Sequence, residues 1–129
     1  MIGLDTNILV RYLTQDGQSP LATDIIEFRL SEGNPGFISI VAMVETVWVL
    51  DRAYGLADDE IAAALQRMLQ ADTLVVEYEQ EVFTATMALK EGSGSFADAL
   101  IGALGARAGC ARTLTFDRTA LRLPGFELP

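Results

Sequence analysis

The sequence predicts an α/β domain of three layers, with helices on both faces of a central, mostly parallel sheet of four or five strands. Two observations carry this. Apolar runs of three to five residues alternate with stretches of ten or more that have helical periodicity, and parallel strands need crossovers of about that length. At 129 residues, half of them hydrophobic, the chain can build a core of its own, so 1–129 reads as a single domain.

The elements follow in order. IGLD at 2–5 reads as a strand and 6–14 as a helix. SPLATDIIEFRLSEGN has Ser19 as cap and Pro20 in the first helical position, and it closes at Gly33. GFIS at 36–39 is a second strand. IVAMVETVWVLDRAYG is a long apolar helix ending at Gly55, and LADDEIAAALQRMLQA is amphipathic, with Ile61, Leu65, Met68 and Leu69 on one face. TLVVE at 73–77 is a third strand, and two helices near 79–91 and 96–108 flank the breaker EGSGS. RTLT at 112–115 gives a fourth strand and FEL at 126–128 a fifth.

Composition removes whole classes of chemistry. The chain has no histidine and one cysteine, Cys110. Imidazole-dependent triads, histidine-ligated zinc, Cys–His nucleophiles and internal disulfides are all excluded. Cys110, beside Gly109 and Ala111, is expected as a small buried residue. No run approaches the roughly 20 apolar residues of a membrane span, and the start lacks a basic segment followed by a long apolar one, so a cytoplasmic location without membrane association is expected. The formal charge of −9 opposes unaided phosphate binding. Catalysis would have to run on carboxylates, hydroxyls, arginine or a bound metal.

Four carboxylates stand out, and each has a structural alternative. Asp5 ends a strand and precedes a helix, where it could cap. Glu45 is the only charge between Phe37 and Leu50, with Val41, Ala42, Trp48 and Val49 as helical neighbours; an ionised group there is costly unless it is paired, coordinates a cation or sits at an exposed edge. Asp98 lies three residues after Ser95, as in a capping box, on a helix whose Gly102 and Gly105 let its backbone approach the sheet. Asp117 follows RTLT and could cap a turn starting at Arg118.

Ligands of parallel sheets bind beyond the carboxyl ends of the strands, and the order of elements sends all four acids toward that rim. Converging carboxylates repel one another and have raised pKa values unless cations neutralise them. Oxygen ligands without histidine or cysteine favour Mg²⁺ or Mn²⁺, the dress of metal-assisted phosphoryl transfer.

The segments LDTNIL, ISIVAMVETVWVL, YGLADDEIAAAL, FADALIGALGARAG and TLTFDRTALRLPG cover most of the chain. In their order and spacing they resemble the PIN-domain ribonucleases, most closely the VapC-type toxins of bacterial toxin-antitoxin pairs. The resemblance implies that Asp5, Glu45, Asp98 and Asp117 are an acidic quartet binding one or two Mg²⁺ or Mn²⁺ ions. It gives Thr6, Asn7, Ser39 and Thr115 supporting or substrate-orienting roles. It implies RNA phosphodiester hydrolysis, a cognate VapB-type antitoxin and a homodimer.

Two bound divalent ions would offset about four negative charges. Arg107, Arg112, Arg118 and Arg122 are accompanied over their span by one acid, Asp117, and Arg11 lies on the first helix; Arg11, Arg118 and Arg122 are candidate phosphate contacts. The alternative for each is a solvated surface arginine. Ile61, Leu65 and Trp48 could form a partner surface or belong to the core. A receiver domain is excluded because the only lysine, Lys90, lies outside any strand, and a haloacid-dehalogenase-type phosphatase because Asn7 stands where a second Asp is needed. A PIN-like module that binds RNA or protein without cutting remains the competing reading.

Overall fold

The structure is a computed structural model that describes residues 1–14 and 19–129. The chain divides into two compact units, Met1–Glu79 and Gln80–Pro129.

In the first unit β1 (Ile2–Gly3), β2 (Gly36–Ile38) and β3 (Leu74–Val76) form a parallel sheet in the order β1-β2-β3. Ile2 lies opposite Gly36, and Gly36 opposite Leu74. Gly36 is bare for a reason: a Cβ there would come within 2.7 Å of Leu4 Cδ1 and 2.8 Å of Leu30 Cδ1. The crossovers are α1 (Thr6–Thr14) and α2 (Ser19–Thr23) between β1 and β2, then α3 (Ile40–Arg52) and α4 (Asp58–Gln70) between β2 and β3. α1 packs on α2 and α3, and α4 packs on α3 and β3. Leu9, Ile38, Met43, Leu50, Ile61 and Leu65 form the fully buried centre.

The helix expected to close at Gly33 stops earlier. α2 runs into a π-helical turn, Asp24–Arg29, and Leu30 leaves in an extended conformation, its N–H bonded to the Ile25 carbonyl at 3.1 Å. Ser31 and Asn34 then exchange backbone hydrogen bonds of 3.2 and 3.1 Å, a turn suited to the extended backbone that precedes Pro35. The side chain of Ser19, expected as a cap, lies outside the described residues. α4 opens on three acids, Asp58, Asp59 and Glu60, which suit the positive end of the helix dipole.

The second unit holds α5 (Glu79–Glu91, beginning at the unit boundary), α6 (Phe96–Arg107), β4 (Thr113–Leu114), a 3₁₀ turn (Arg118–Arg122) and β5 (Phe126–Glu127). β4 and β5 pair in parallel, Thr113 opposite Phe126. The bare face of α6 meets them as expected: a Cβ on Gly102 would lie 2.7 Å from the Phe126 ring, and one on Gly105 3.4 Å from Thr113 Oγ1. Val82, Phe96, Leu100 and Leu123 are buried. Glu81, also buried, holds the Arg107 guanidinium at 2.8 Å.

Two further expectations need correction. Five strands form, but among the described residues they make a three-stranded and a two-stranded sheet, not one sheet of four or five; β4 takes β5 as its hydrogen-bonding partner across the 3₁₀ turn. Cys110 is exposed, because Gly109 at φ +99 ends α6 and turns the chain outward before β4 begins.

Candidate active site

Each strand of the first sheet delivers a polar residue just past its carboxyl end: Asp5 after β1, Ser39 after β2 and Glu77 after β3. Asp5 starts α1, its carbonyl accepting from the N–H groups of Ile8 and Leu9. Among the described residues its carboxylate takes the adjacent Thr6 N–H alone, at 2.7 Å on Oδ1, and the residue is exposed. The capping alternative is therefore realised mainly through the backbone.

Thr6 is buried and donates its hydroxyl to Glu45 Oε1 at 2.5 Å, joining the start of α1 to the second turn of α3. Asp5, Thr6, Asn7, Val10, Arg11, Glu45, Val49 and Tyr54 line one cleft of about 320 Å³. Five residues singled out in the sequence thus share a wall: two acids, a hydroxyl, an amide and a guanidinium.

Glu45 reaches this cleft from an exposed position, one of the alternatives that the sequence left open. It is exposed, and so are its helical neighbours Val41 and Trp48, at 72% and 59%. The residue stays in contact with water while Oε1 accepts from Thr6, so burial does not demand an ionic partner. What needs explaining instead is apolar surface in solvent. Ile61 and Leu65 are core, leaving Trp48 as the exposed member of that trio.

Ser39 caps α3, its Oγ accepting from Ala42 N–H at 3.1 Å, and it does not line the cleft. Glu77, not singled out in the sequence, accepts from the Ile40 N–H at 2.8 Å and satisfies the first orphan donor of the same helix. The signal was present: an acid directly after TLVV repeats the pattern of Asp5 after IGL. The chain then turns away at Tyr78, whose φ of 52° is uncommon for a residue with a side chain.

In the second unit, Ser95 Oγ accepts from the Asp98 backbone N–H at 3.1 Å, a bond that leaves the half-exposed Asp98 carboxylate out of the cap. Asp117 caps the 3₁₀ turn, Oδ1 accepting from the Thr119 N–H at 2.9 Å and the Thr119 hydroxyl at 2.7 Å. These bonds hold its pKa below the usual carboxylate value, the opposite of the rise expected from crowded acids. Thr115 Oγ1 accepts from the Asp117 N–H at 3.0 Å and so sets the turn that presents this acid.

The arginines divide. Arg107 is held by Glu81 and Arg112 lies 3.6 Å from Glu127. Arg118 and Arg122 are exposed and make no ion pair among the described residues, and Arg11 lines the cleft of Asp5 and Glu45.

A family model described as PIN domain matches residues 2–125. The chain belongs to the PIN domain family. PIN domains are typically nuclease modules, commonly metal-dependent hydrolases that bind divalent ions, and PIN nucleases act on RNA. The α/β fold class expected from the sequence is that of this PIN domain. The comparison with curated proteins found no match, and neither did the comparison with solved structures. No described helix is long and apolar enough to cross a membrane.

The donor set of this PIN domain suits a hard cation. Among the described residues no three His, Cys, Asp or Glu side chains gather as a closed metal cage. Mg²⁺ does not need one: it keeps several waters and is held by one or two carboxylates together with substrate phosphates. Asp5 and Glu45, exposed on one cleft, match that open form, whereas a structural zinc site would need four closed ligands from nitrogen or sulfur.

Proposed function

We propose that this PIN domain is a Mg²⁺- or Mn²⁺-dependent endoribonuclease, the toxin of a toxin-antitoxin pair, and that residues 1–129 act as one domain. The observation that carries the reading is the shared cleft of Asp5, Thr6, Asn7, Arg11 and Glu45, in a family of nucleases and in a chain with no histidine to do the chemistry otherwise. Asp5, Glu45, Asp98 and Asp117 are the proposed ligands of one or two ions. A bound Mg²⁺ or Mn²⁺ would lower the pKa of water and neutralise charge developing on the phosphate.

The remaining work falls to the chain. Thr6 holds Glu45 by its hydroxyl and Thr115 fixes the Asp117 turn, so these two are positioning residues. Ser39 acts one step further back, as the cap of the helix that carries Glu45. Asn7 offers both a donor and an acceptor to the substrate from the cleft wall. Arg11, Arg118 and Arg122 are the proposed phosphate contacts, which lets a chain of net charge −9 hold RNA. The exposed Val41 and Trp48, seven residues apart on one face of α3, support a partner surface for a VapB-type antitoxin or a second copy.

Controlled expression in cells, followed by mapping of cleavage ends across total RNA, tests the reading. New ends at defined positions are expected with the natural chain and not with Asp98→Ala. Identical end profiles for the two proteins would favour the non-cutting module.

A further inference from the structure

The cleft has a wall that the hydrolysis does not use. Tyr54 lines this cleft together with Val10, Val49, Asp5 and Glu45, and the residue is 41% exposed. Its place is fixed by the end of α3. Gly55 is left-handed at φ +61, its N–H donates to the Asp51 carbonyl at 3.1 Å, and the Leu56 N–H donates to the Leu50 carbonyl at 3.1 Å. A glycine in this conformation with that backbone bond is a helix terminator, so Tyr54 sits on a defined turn and not on a free loop.

An aromatic side chain on a cleft that also carries a guanidinium, here Arg11, is a combination that binds unstacked nucleobases. Enzymes that act on single strands pair a backbone-tracking charge with a ring on which a base lies, and every base offers a π face. We infer that Tyr54 is a base-stacking platform: it takes one nucleobase of a single-stranded RNA next to the phosphate that a cation at Asp5 and Glu45 would hold. The inference rests on the ribonuclease reading and adds to it a residue that holds a base beside the cut. Duplex RNA keeps its bases stacked and cannot present one to the ring. Asn7, on the same cleft, carries an amide that can both donate and accept.

The test uses the full chain carrying Asp98→Asn to prevent cutting, with Mn²⁺ present and a fluorescent single-stranded RNA followed by anisotropy. Tyr54→Ala should weaken binding about tenfold, within the range for loss of a stacked base, while Tyr54→Phe, which keeps the ring, stays within about twofold. RNAs lacking one base in turn should include one position whose removal weakens binding to the Tyr54 protein and has no further effect on Tyr54→Ala. Thermal melts confirm that each variant folds. Unchanged binding by Tyr54→Ala, or additive losses at every abasic position, overturns the stacking and leaves the nuclease reading intact. Absence of RNA binding by the folded Tyr54 protein, with no RNA cleavage by the chain that keeps Asp98, overturns both.

Discussion

The Thr6 hydroxyl donates to Glu45 Oε1 at 2.5 Å, tying the residue after Asp5 to a carboxylate on a different helix. Thr6 is buried while Asp5 and Glu45 are exposed, so the two acids share one covalent and one hydrogen-bonded link through a rigid middle. Spacing between carboxylates decides whether a cation can bridge or sit beside them, and this link sets it within the first unit.

Replacing Thr6 by Val removes the donor and keeps the shape. We expect a loss of roughly 0.5–1.5 kcal/mol in stability by chemical denaturation, the ordinary worth of one hydrogen bond. Mn²⁺ affinity measured by calorimetry should fall at the same time, and Thr6→Ser should recover part of it. Mn²⁺ binding by Thr6→Val equal to that of the natural chain would remove Thr6 from the positioning role.

Glu77 holds the N-terminal end of α3. Its carboxylate meets the Ile40 N–H at 2.8 Å while Ser39 meets Ala42, so two of the orphan donors of this helix are satisfied by side chains. Glu77→Ala should cost about 1 kcal/mol, as helix-cap removals do, and Glu77→Gln less, since its amide oxygen can still accept. Denaturation curves for the pair of variants decide this, and equal stability of all three proteins would contradict it.

Asp117 should titrate below the ordinary carboxylate range, because the Thr119 N–H and hydroxyl both favour its charged form. A depressed folded value means that the interaction stabilises the fold above the unfolded pKa, about 3.9, and is lost as pH falls through the folded value. Carboxyl NMR titration of the natural chain and Thr119→Val should show the Asp117 midpoint move up in the variant. A midpoint that does not move would place the cause elsewhere.

Gly102 has no room for a side chain. A Cβ would lie 2.7 Å from the Phe126 ring, and a ring between α6 and β5 cannot swing aside as a flexible tail could. Gly102→Ala should destabilise by about 1–3 kcal/mol, the usual cost of overpacking, read as a lowered melting temperature. Gly109→Ala would be a poor control because φ there is +99.

The sequence made most of the fold legible because its helices are bounded by strong local signals. Ser39, Ser95 and the acidic start of α4 mark helix beginnings, and the cap at Ser95 is the one read from the sequence. What stayed hidden depends on contacts between distant residues. The pairing of β4 with β5 is a choice of partner that no local pattern encodes, and the early end of the helix before Leu30 is fixed by the reciprocal bonds of Ser31 and Asn34. For the site, periodicity put Glu45 on an apolar face correctly but could not say that the face is in water. Glu77 and Tyr54 were passed over for the same reason: a carboxylate after a strand and a tyrosine after a helix acquire roles only when Ile40 and the Asp5 cleft come to meet them.

The central claim is that the carboxylates hold a divalent ion that cuts RNA. The most direct measurement is cleavage of single-stranded RNA by the purified chain with Mg²⁺ or Mn²⁺, with chelator, and after Asp5→Asn and Asp98→Asn separately. Cleavage should require the metal and fall about a hundredfold or more in each variant, the scale on which loss of a transition-state charge stabiliser is felt. Cleavage that survives chelator, or persists undiminished in both variants, would contradict it.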